Sequence, residues 1–460
     1  MISPHETLLP STARALLHRV AVAQSEGRAP SLVGAVVRGG RLVWSGARSC
    51  TEDDVPDADT QYRIGSLTKT FTAVLVLRLR DAGLLDLSDP LDKHLSGTGV
   101  GEVTIAQLLC HSAGLAAESP APWWERTPGS LRPGLADVLG ERPLLHPAGR
   151  RHHYSNTGYT LLGSLIAAVR GRPWEEVLRN ELLEPLGMRR TSCAPQVPHA
   201  SGWAVHPWAD AVMHEPAVDL GLMAPAGQLW STAADLGRFA AFLLQGDERV
   251  LGADSVREMR TASAPSEPGE WDSTYGLGLQ IVRRSGRTLI GHTGSLPGFV
   301  ACLWADAEEG VAAVVLANAT SGPLPAVVAA DLVRIVVDAE PRFPEPWRPM
   351  PEVDEALLNL TGAWYWGTSA FRLKLVADRG LELYPLSGHG RGSRFRARPD
   401  GTWAGLDGYF AGETLRAVHC PEGRLVHLDL GSFVFTREPY DPAGGVPGGV
   451  DDRGWGALPL

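Results

Sequence analysis

Between Pro341 and Pro351 the chain places five prolines in eleven residues, Pro341-Arg342-Phe343-Pro344-Glu345-Pro346-Trp347-Arg348-Pro349-Met350-Pro351. Such a stretch can hold neither a helix nor an interior strand, because each proline fixes φ and removes a backbone donor. Any fold of the 460 residues must break there. Length alone calls for two or three domains. The reading is a first domain over residues 1–340, a linker over 341–352 and a smaller domain over 353–440. A tail over 441–460, rich in Gly, Pro and Asp, is expected to be disordered.

Residues 12 to 23 read as an amphipathic helix. Leu32–Val37 and Leu42–Trp44 then bracket the turn Arg38-Gly39-Gly40-Arg41 as a hairpin. Strands return at Tyr275–Val282, Arg287–His292, Phe299–Trp304 and Val311–Ala317, with a long, mostly helical middle between the two groups. The economical fold is α/β of the α+β kind. An antiparallel sheet is built from both ends of the domain, flanked by helices, with a mostly helical subdomain inserted between its halves. Beyond the linker, short alternating segments such as Phe371–Leu375, Leu381–Tyr384 and Ser432–Phe435 are spaced by glycine-rich turns. They predict a small all-β barrel, lipocalin-like, or a sandwich.

The charge balance excludes some partners. With 42 Lys and Arg against 52 Asp and Glu, the net charge of −10 argues against nucleic acid and against an anionic membrane, both of which reward a basic face. A small molecule or a peptide fits better. Cys50, Cys110, Cys193, Cys302 and Cys420 stand singly, so neither a zinc knot nor a disulfide framework is indicated, and no metal or other cofactor is expected. The start, Met1-Ile2-Ser3-Pro4-His5-Glu6-Thr7, lacks a basic region followed by an apolar run, and no segment reaches transmembrane length. The chain as given reads as cytoplasmic. Its oligomeric state is left open.

Positive charge comes almost entirely from arginine; Lys69 is one of three lysines. It closes Ser66-Leu67-Thr68-Lys69 and precedes the apolar run Phe71-Thr72-Ala73-Val74-Leu75-Val76-Leu77. Arginine stays protonated in almost any surroundings, whereas a buried ammonium can shed its proton and act as a base. A helix starting near Ser66 sets Ser66 and Lys69 one turn apart on one side, a nucleophile beside its activator. Alone, a serine three residues before a lysine is a weak signal.

Two further elements add to it. In Tyr154-Ser155-Asn156 a phenol beside a lysine can shuttle a proton, and an amide can orient a substrate carbonyl. In Gly291-His292-Thr293-Gly294-Ser295, at the exit of a predicted strand, glycine admits a substrate backbone and free N–H groups can bind a developing oxyanion. Taken singly, the first is more often a buried tyrosine and the second a hairpin.

Together and in this order, with Gly187-Met188 and with Ser231-Thr232-Ala233-Ala234-Asp235 opening a helix, the three resemble the serine β-lactamase and penicillin-binding protein family. The branch is that of class C β-lactamases, D-Ala-D-Ala carboxypeptidases, D-aminopeptidases and related esterases. The likeness spans roughly 15 to 335 and includes Thr104–Leu109 running into His111-Ser112-Ala113-Gly114-Leu115. The resemblance implies that Ser66 is acylated, that Lys69 activates it, that Tyr154 is the general base and shuttle, and that Asn156 contacts the substrate amide. His292, Thr293 and Gly294 take the place of the third motif, and the N–H groups of Ser66 and Ser295 form the oxyanion hole. The implied activity is that of a serine hydrolase or acyl transferase on esters, amides or thioesters.

One departure narrows this. Efficient β-lactamases of the branch usually carry lysine where this chain has His292, so esterase or D-peptidase chemistry is expected ahead of β-lactam hydrolysis. An alternative is a standalone thioesterase that releases and cyclises nonribosomal peptides from a carrier-bound thioester. A second is a penicillin-sensing module without turnover. Trp123, Trp124, Trp203, Trp208 and Trp230 fall in the region that borders the cleft in such proteins and would favour a bulky acyl group, although each is also explained by packing. The pair His152-His153 has no ligand partner at metal-binding spacing.

Overall fold

The computed structural model describes residues 8–51, 55–131, 134–265, 272–340, 347–350, 352, 354–376, 379–387, 390–441, 443–445 and 447–449. Most of the expected linker and of the expected disordered tail lies outside these residues. The chain divides into two compact units, Met1–Arg342 and Phe343–Leu460.

The first unit is organised on a seven-stranded antiparallel sheet. Its strand order is Arg41–Ser49, Ser31–Arg38, Val311–Ala317, Phe299–Asp306, Arg287–Leu296, Gln280–Arg284 and Ser273–Tyr275. The N-terminal hairpin joins the C-terminal strands through Leu32 opposite Ala317 and Arg38 opposite Val311, so the two ends of the unit meet in mid-sheet. Every residue of Phe299–Asp306 and Val311–Ala317 is buried because both faces of the sheet are covered. Alternate residues divide between them: Leu32 and Val36 pack with Leu16, Val20 and Leu332, while Val33, Ala35 and Val37 pack with Phe71 and Phe239. The helices Pro10–Glu26 and Pro325–Ala339 cover the first face.

The helix Thr68–Asp81 lies in the second core and is apolar almost all round, with Thr68 to Leu77 and Leu79 buried. The helix Ala233–Gln245, capped by the Thr232 hydroxyl accepting from Asp235 N at 3.0 Å, sets Phe239 against Phe71 at 3.9 Å between ring centroids. Phe71 sits two residues beyond Lys69, so this stack braces the helix that carries it. Replacing Phe239 with Ala is expected to cost about 3–5 kcal/mol, read by chemical denaturation.

The expected strand Tyr275–Val282 is two strands. Tyr275 pairs with Gln280 across a tight turn in which Gly276 N donates to Leu279 O at 2.8 Å and Gly278 adopts φ +79°. The alternation of glycine with Leu277 and Leu279 hides that turn within an apolar run. A second difference concerns the expected strand end at His292, since the strand continues to Leu296.

The second unit is an eight-stranded antiparallel meander, each strand pairing with the next from Gly362–Trp366 to Phe433–Phe435. Tyr365 and Thr436 exchange backbone hydrogen bonds of 2.8 and 2.9 Å, which nearly closes it into a barrel. Trp364, Phe371, Phe395, Trp403 and Phe435 fill its interior.

Candidate functional site

Gly65 begins the site. Its φ of +52° suits glycine, and a Cβ there would lie 2.6 Å from Ser295 N, so only glycine lets this turn approach the Arg287–Leu296 strand. Ser66 follows in the short 3-10 turn Gly65–Leu67, which feeds directly into the helix Thr68–Asp81 and places Lys69 within its first turn.

Lys69 is 0% exposed, and its Nζ has three neighbours: Ser66 Oγ at 3.0 Å, Asn156 Oδ1 at 2.6 Å and the Ala226 carbonyl at 2.8 Å. Burial pushes its pKa down to about 7, against the opposing pull of Glu118 and Glu125. A neutral amine has two hydrogens and one lone pair. The amide oxygen and the backbone carbonyl can only accept, so they take both hydrogens and leave the lone pair for the Ser66 hydroxyl.

Asn156 opens the helix Asn156–Arg170, which is capped by the Ser155 hydroxyl accepting from Gly158 N at 3.0 Å. The orientation of the Asn156 amide is set from outside the motif: Nδ2 donates to Glu118 Oε1 at 2.8 Å, which turns Oδ1 toward Lys69. Trp124 Nε1 donates to the other oxygen of Glu118 at 2.6 Å. Ala226 reaches Lys69 because Gly163 allows Pro225 to press on the helix; a Cβ at 163 would sit 2.0 Å from Pro225 Cγ. Glu118 and Ala226 are absent from the sequence reading.

Tyr154 is half-buried overall with its hydroxyl enclosed; its ring centroid lies 5.0 Å from Lys69 Nζ, and the hydroxyl shares a hydrogen bond with Ser66. Burial raises its pKa well above the usual phenol value, so it stands as a neutral phenol. His292, 1% exposed, is enclosed as well. Its Nδ1 donates to the Thr293 carbonyl at 2.5 Å, which leaves Nε2 to accept from the Tyr275 hydroxyl at 2.8 Å. Burial, helped by Lys69, pushes its pKa down to about 3, so the third motif carries no charge at neutral pH. His111 belongs to the same aromatic cluster. Its Nδ1 accepts from Ser155 N at 3.0 Å and its ring lies 4.2 Å from that of Tyr154.

The third motif occupies the free end of a strand. The Gln280–Arg284 strand pairs with its neighbour only as far as Gly291, so His292 to Leu296 run on with that edge open. Thr293 N donates to Gln280 Oε1 at 3.1 Å on that side, and alternation turns Ser295 N the same way, toward Ser66. A Cβ at Gly294 would lie 1.9 Å from the Ile64 carbonyl and 3.2 Å from Ser66 N. Gly294→Ala is therefore expected to spread the turn from the strand and lower kcat/KM on a chromogenic ester by about 10²-fold, with circular dichroism unchanged.

Ser66, Lys69, Tyr154 and Asn156 thus meet directly, with His292, Thr293, Gly294 and Ser295 along one side. Of the tryptophans, Trp124 is buried against Glu118, Trp123 is 57% exposed beside it, Trp230 is in the core, and Trp203 and the exposed Trp208 belong to the Gly202–Glu215 hairpin. Among the described residues no group of three His, Cys, Asp or Glu side chains could hold a metal ion. Nor is any helix among them long and apolar enough to cross a membrane.

A helix-flanked antiparallel sheet with a buried Ser–Lys pair, a tyrosine, an asparagine and an open glycine-bearing edge defines the serine β-lactamase and penicillin-binding class. The Beta-lactamase family model matches residues 13–338, and the chain belongs to that family. A domain of unknown function, DUF7586, matches residues 353–437. Penicillin-binding protein 4 of Amycolatopsis lactamdurans is 28% identical over 64% of this chain and 81% of its own length. Beta-lactamase-like protein 2 of Dictyostelium discoideum is 27% identical over 55% of this chain and 48% of its own, so the chain spans about half of that relative. Among solved structures, a D-stereospecific amidohydrolase from Streptomyces sp. matches at 28% identity with a TM-score of 0.60, over 70% of this chain and 98% of that one. SurE matches at 26% identity with a TM-score of 0.59, over 93% and 99%.

Proposed function

We propose that this protein is a serine hydrolase that transfers acyl groups from peptide-like esters or amides through an acyl-Ser66 intermediate. The observation that carries the reading is the hydrogen-bond set of Lys69, which leaves the amine lone pair for the Ser66 hydroxyl. Ser66 Oγ attacks the carbonyl carbon while its proton passes to Lys69 Nζ. The carbonyl oxygen gathers charge against the N–H groups of Ser66 and Ser295. Tyr154, a neutral phenol bonded to Ser66, relays the proton to the leaving group, and Asn156 holds the substrate amide. Water then takes the acyl group, and Ser66 is restored. The resemblance gave the base role to Tyr154; the lowered pKa of Lys69 and the raised one of Tyr154 favour Lys69.

The uncharged His292 favours substrates without a carboxylate at that subsite, hence esterase or D-peptidase chemistry over β-lactam hydrolysis. The similarity to a D-stereospecific amidohydrolase supports a D-configured residue near the scissile bond.

The test is a panel of small esters, D-Ala-D-Ala peptides, nitrocefin and peptidyl thioesters, followed by intact mass. The reading expects a Ser66 adduct and turnover from esters or amides. Acylation by a peptidyl thioester alone, with a cyclic product, would replace it with the thioesterase alternative. A stable nitrocefin adduct without turnover of anything would replace it with the sensing module.

A further inference from the structure

His111 concentrates two local costs in one buried residue. It is 1% exposed, its φ of +57° is left-handed although it carries a Cβ, and its Nε2 is buried with no hydrogen-bond partner among the described residues. Glycine would relieve the backbone, and an apolar side chain would need no acceptor. What histidine adds is set by its contacts.

Three of these fall on consecutive residues of the second motif. The His111 carbonyl accepts from His153 N at 2.7 Å, its ring lies 4.2 Å from that of Tyr154, and its Nδ1 accepts from Ser155 N at 3.0 Å. The same loop holds the next residue, Asn156 N donating to Ala117 O at 2.8 Å. A ring nitrogen that accepts from a backbone N–H carries no proton. Burial, with Lys69 and His152 nearby, keeps His111 neutral by pushing its pKa well below the ordinary value.

We propose that His111 is a positioning residue of the proton relay: through Nδ1 it fixes the backbone on which Tyr154 stands, so that the phenol stays on Ser66 while the leaving group departs. The proposal rests on the acyl-Ser66 reading and on the relay through Tyr154, and goes beyond both. His111 itself exchanges no proton in the reaction. The consequence is selective. With Tyr154 displaced, Lys69 can still take the Ser66 proton, because Asn156 and Ala226 hold its nitrogen. Delivery of that proton to the departing oxygen is what suffers. p-Nitrophenolate leaves as an anion without it, whereas a more basic alkoxide needs it.

The test measures kcat/KM on the full-length protein for the acetate esters of p-nitrophenol, phenol and trifluoroethanol, whose leaving groups grow more basic in that order. Each rate is divided by the amount of Ser66 that p-nitrophenyl acetate acylates, read by intact mass, so that only folded sites count. Tyr154→Phe calibrates loss of the relay. His111→Phe keeps a ring and removes the acceptor, and His111→Gly removes the acceptor while relieving the backbone. His111→Asn restores an acceptor at the δ position on a residue that tolerates the left-handed turn. The trifluoroethyl-to-p-nitrophenyl ratio is expected to fall by about tenfold or more in Tyr154→Phe and in the variants without the acceptor, and to return to within about threefold of the parent in His111→Asn. An unchanged ratio in both variants without the acceptor, an equal fall for all three esters, or a ratio as poor in His111→Asn as in His111→Phe overturns the proposal. If Tyr154→Phe leaves the ratio unchanged, the relay reading fails and the proposal with it. If no ester acylates Ser66, the acyl-serine reading fails as well.

Discussion

Replacing Ser66 with Ala is expected to abolish the covalent adduct and to lower ester turnover by about 10³-fold or more, since among the described residues the partners of Lys69 Nζ are the Ser66 hydroxyl, an amide oxygen and a backbone carbonyl, of which only the hydroxyl is a nucleophile. The substitution is gentle to the fold. Ser66 lies in a short turn whose position is fixed by Gly65 against Ser295 and by Ile64 N donating to Leu229 O at 2.9 Å, neither of which involves the serine side chain. Thermal unfolding of the variant should match that of the parent while intact mass after exposure to a chromogenic ester shows no acyl increment. Parental turnover in this variant would remove Ser66 from the chemistry.

The second large effect is expected from Lys69→Arg. A guanidinium keeps positive charge but cannot give up its proton at accessible pH, and its planar fork does not fit a site with one hydroxyl, one amide oxygen and one carbonyl around a single nitrogen. Loss of the base alone is worth about 10²–10⁴-fold, so acylation should fall at least that far. Because Lys69 is 0% exposed, the larger group will also disturb packing, and Lys69→Met separates the effects. Methionine fills much of the same volume without charge; acylation should be as poor as in the arginine variant while the fold is kept. If Lys69→Met acylates Ser66 at the parental rate, the lysine is structural.

How much of this was legible in the sequence depends on where each partner lies along the chain. Ser66 and Lys69 are three residues apart at a helix start, so local geometry decides their contact and the sequence displays it. The antiparallel sheet was legible because Leu32–Val37 and Val311–Ala317 are apolar at every position, as strands covered on both faces must be. Long-range partners left no such mark. Glu118 orients Asn156 from 38 positions earlier, on a loop whose charge reads as solvent-facing. Ala226 contributes a carbonyl, which any residue could supply. The charge of His292 could not be read at all, since its neutrality comes from burial and from the nearby Lys69, and the Tyr275 hydroxyl that meets its Nε2 lies 17 positions earlier across a turn that the sequence presents as continuous strand. The strand running on to Leu296 is the same kind of case. Pro297 marks the limit of the strand, but the open edge is created by the end of pairing at Gln280.

These long-range contacts also set the chemistry apart from the motif alone. A serine, lysine and tyrosine in order imply an acyl-enzyme without saying which group holds the proton. Burial lowers the pKa of Lys69 and raises that of Tyr154, and the two shifts together favour nitrogen as the basic site in the proposed mechanism. Lys69, Tyr154 and Ser66 share hydrogen bonds, so what titrates in an experiment belongs to the group of three.

The most direct measurement is the pre-steady-state rate of Ser66 acylation by a neutral chromogenic ester as a function of pH. The base works when unprotonated, so acylation should be fast above the Lys69 pKa and fall about tenfold for each unit of pH below it. The predicted acid limb has an apparent pKa of about 7. A rate that is flat from pH 5.5 to 9, or that rises only toward pH 10 as an ordinary exposed lysine or a tyrosine base would require, contradicts the account.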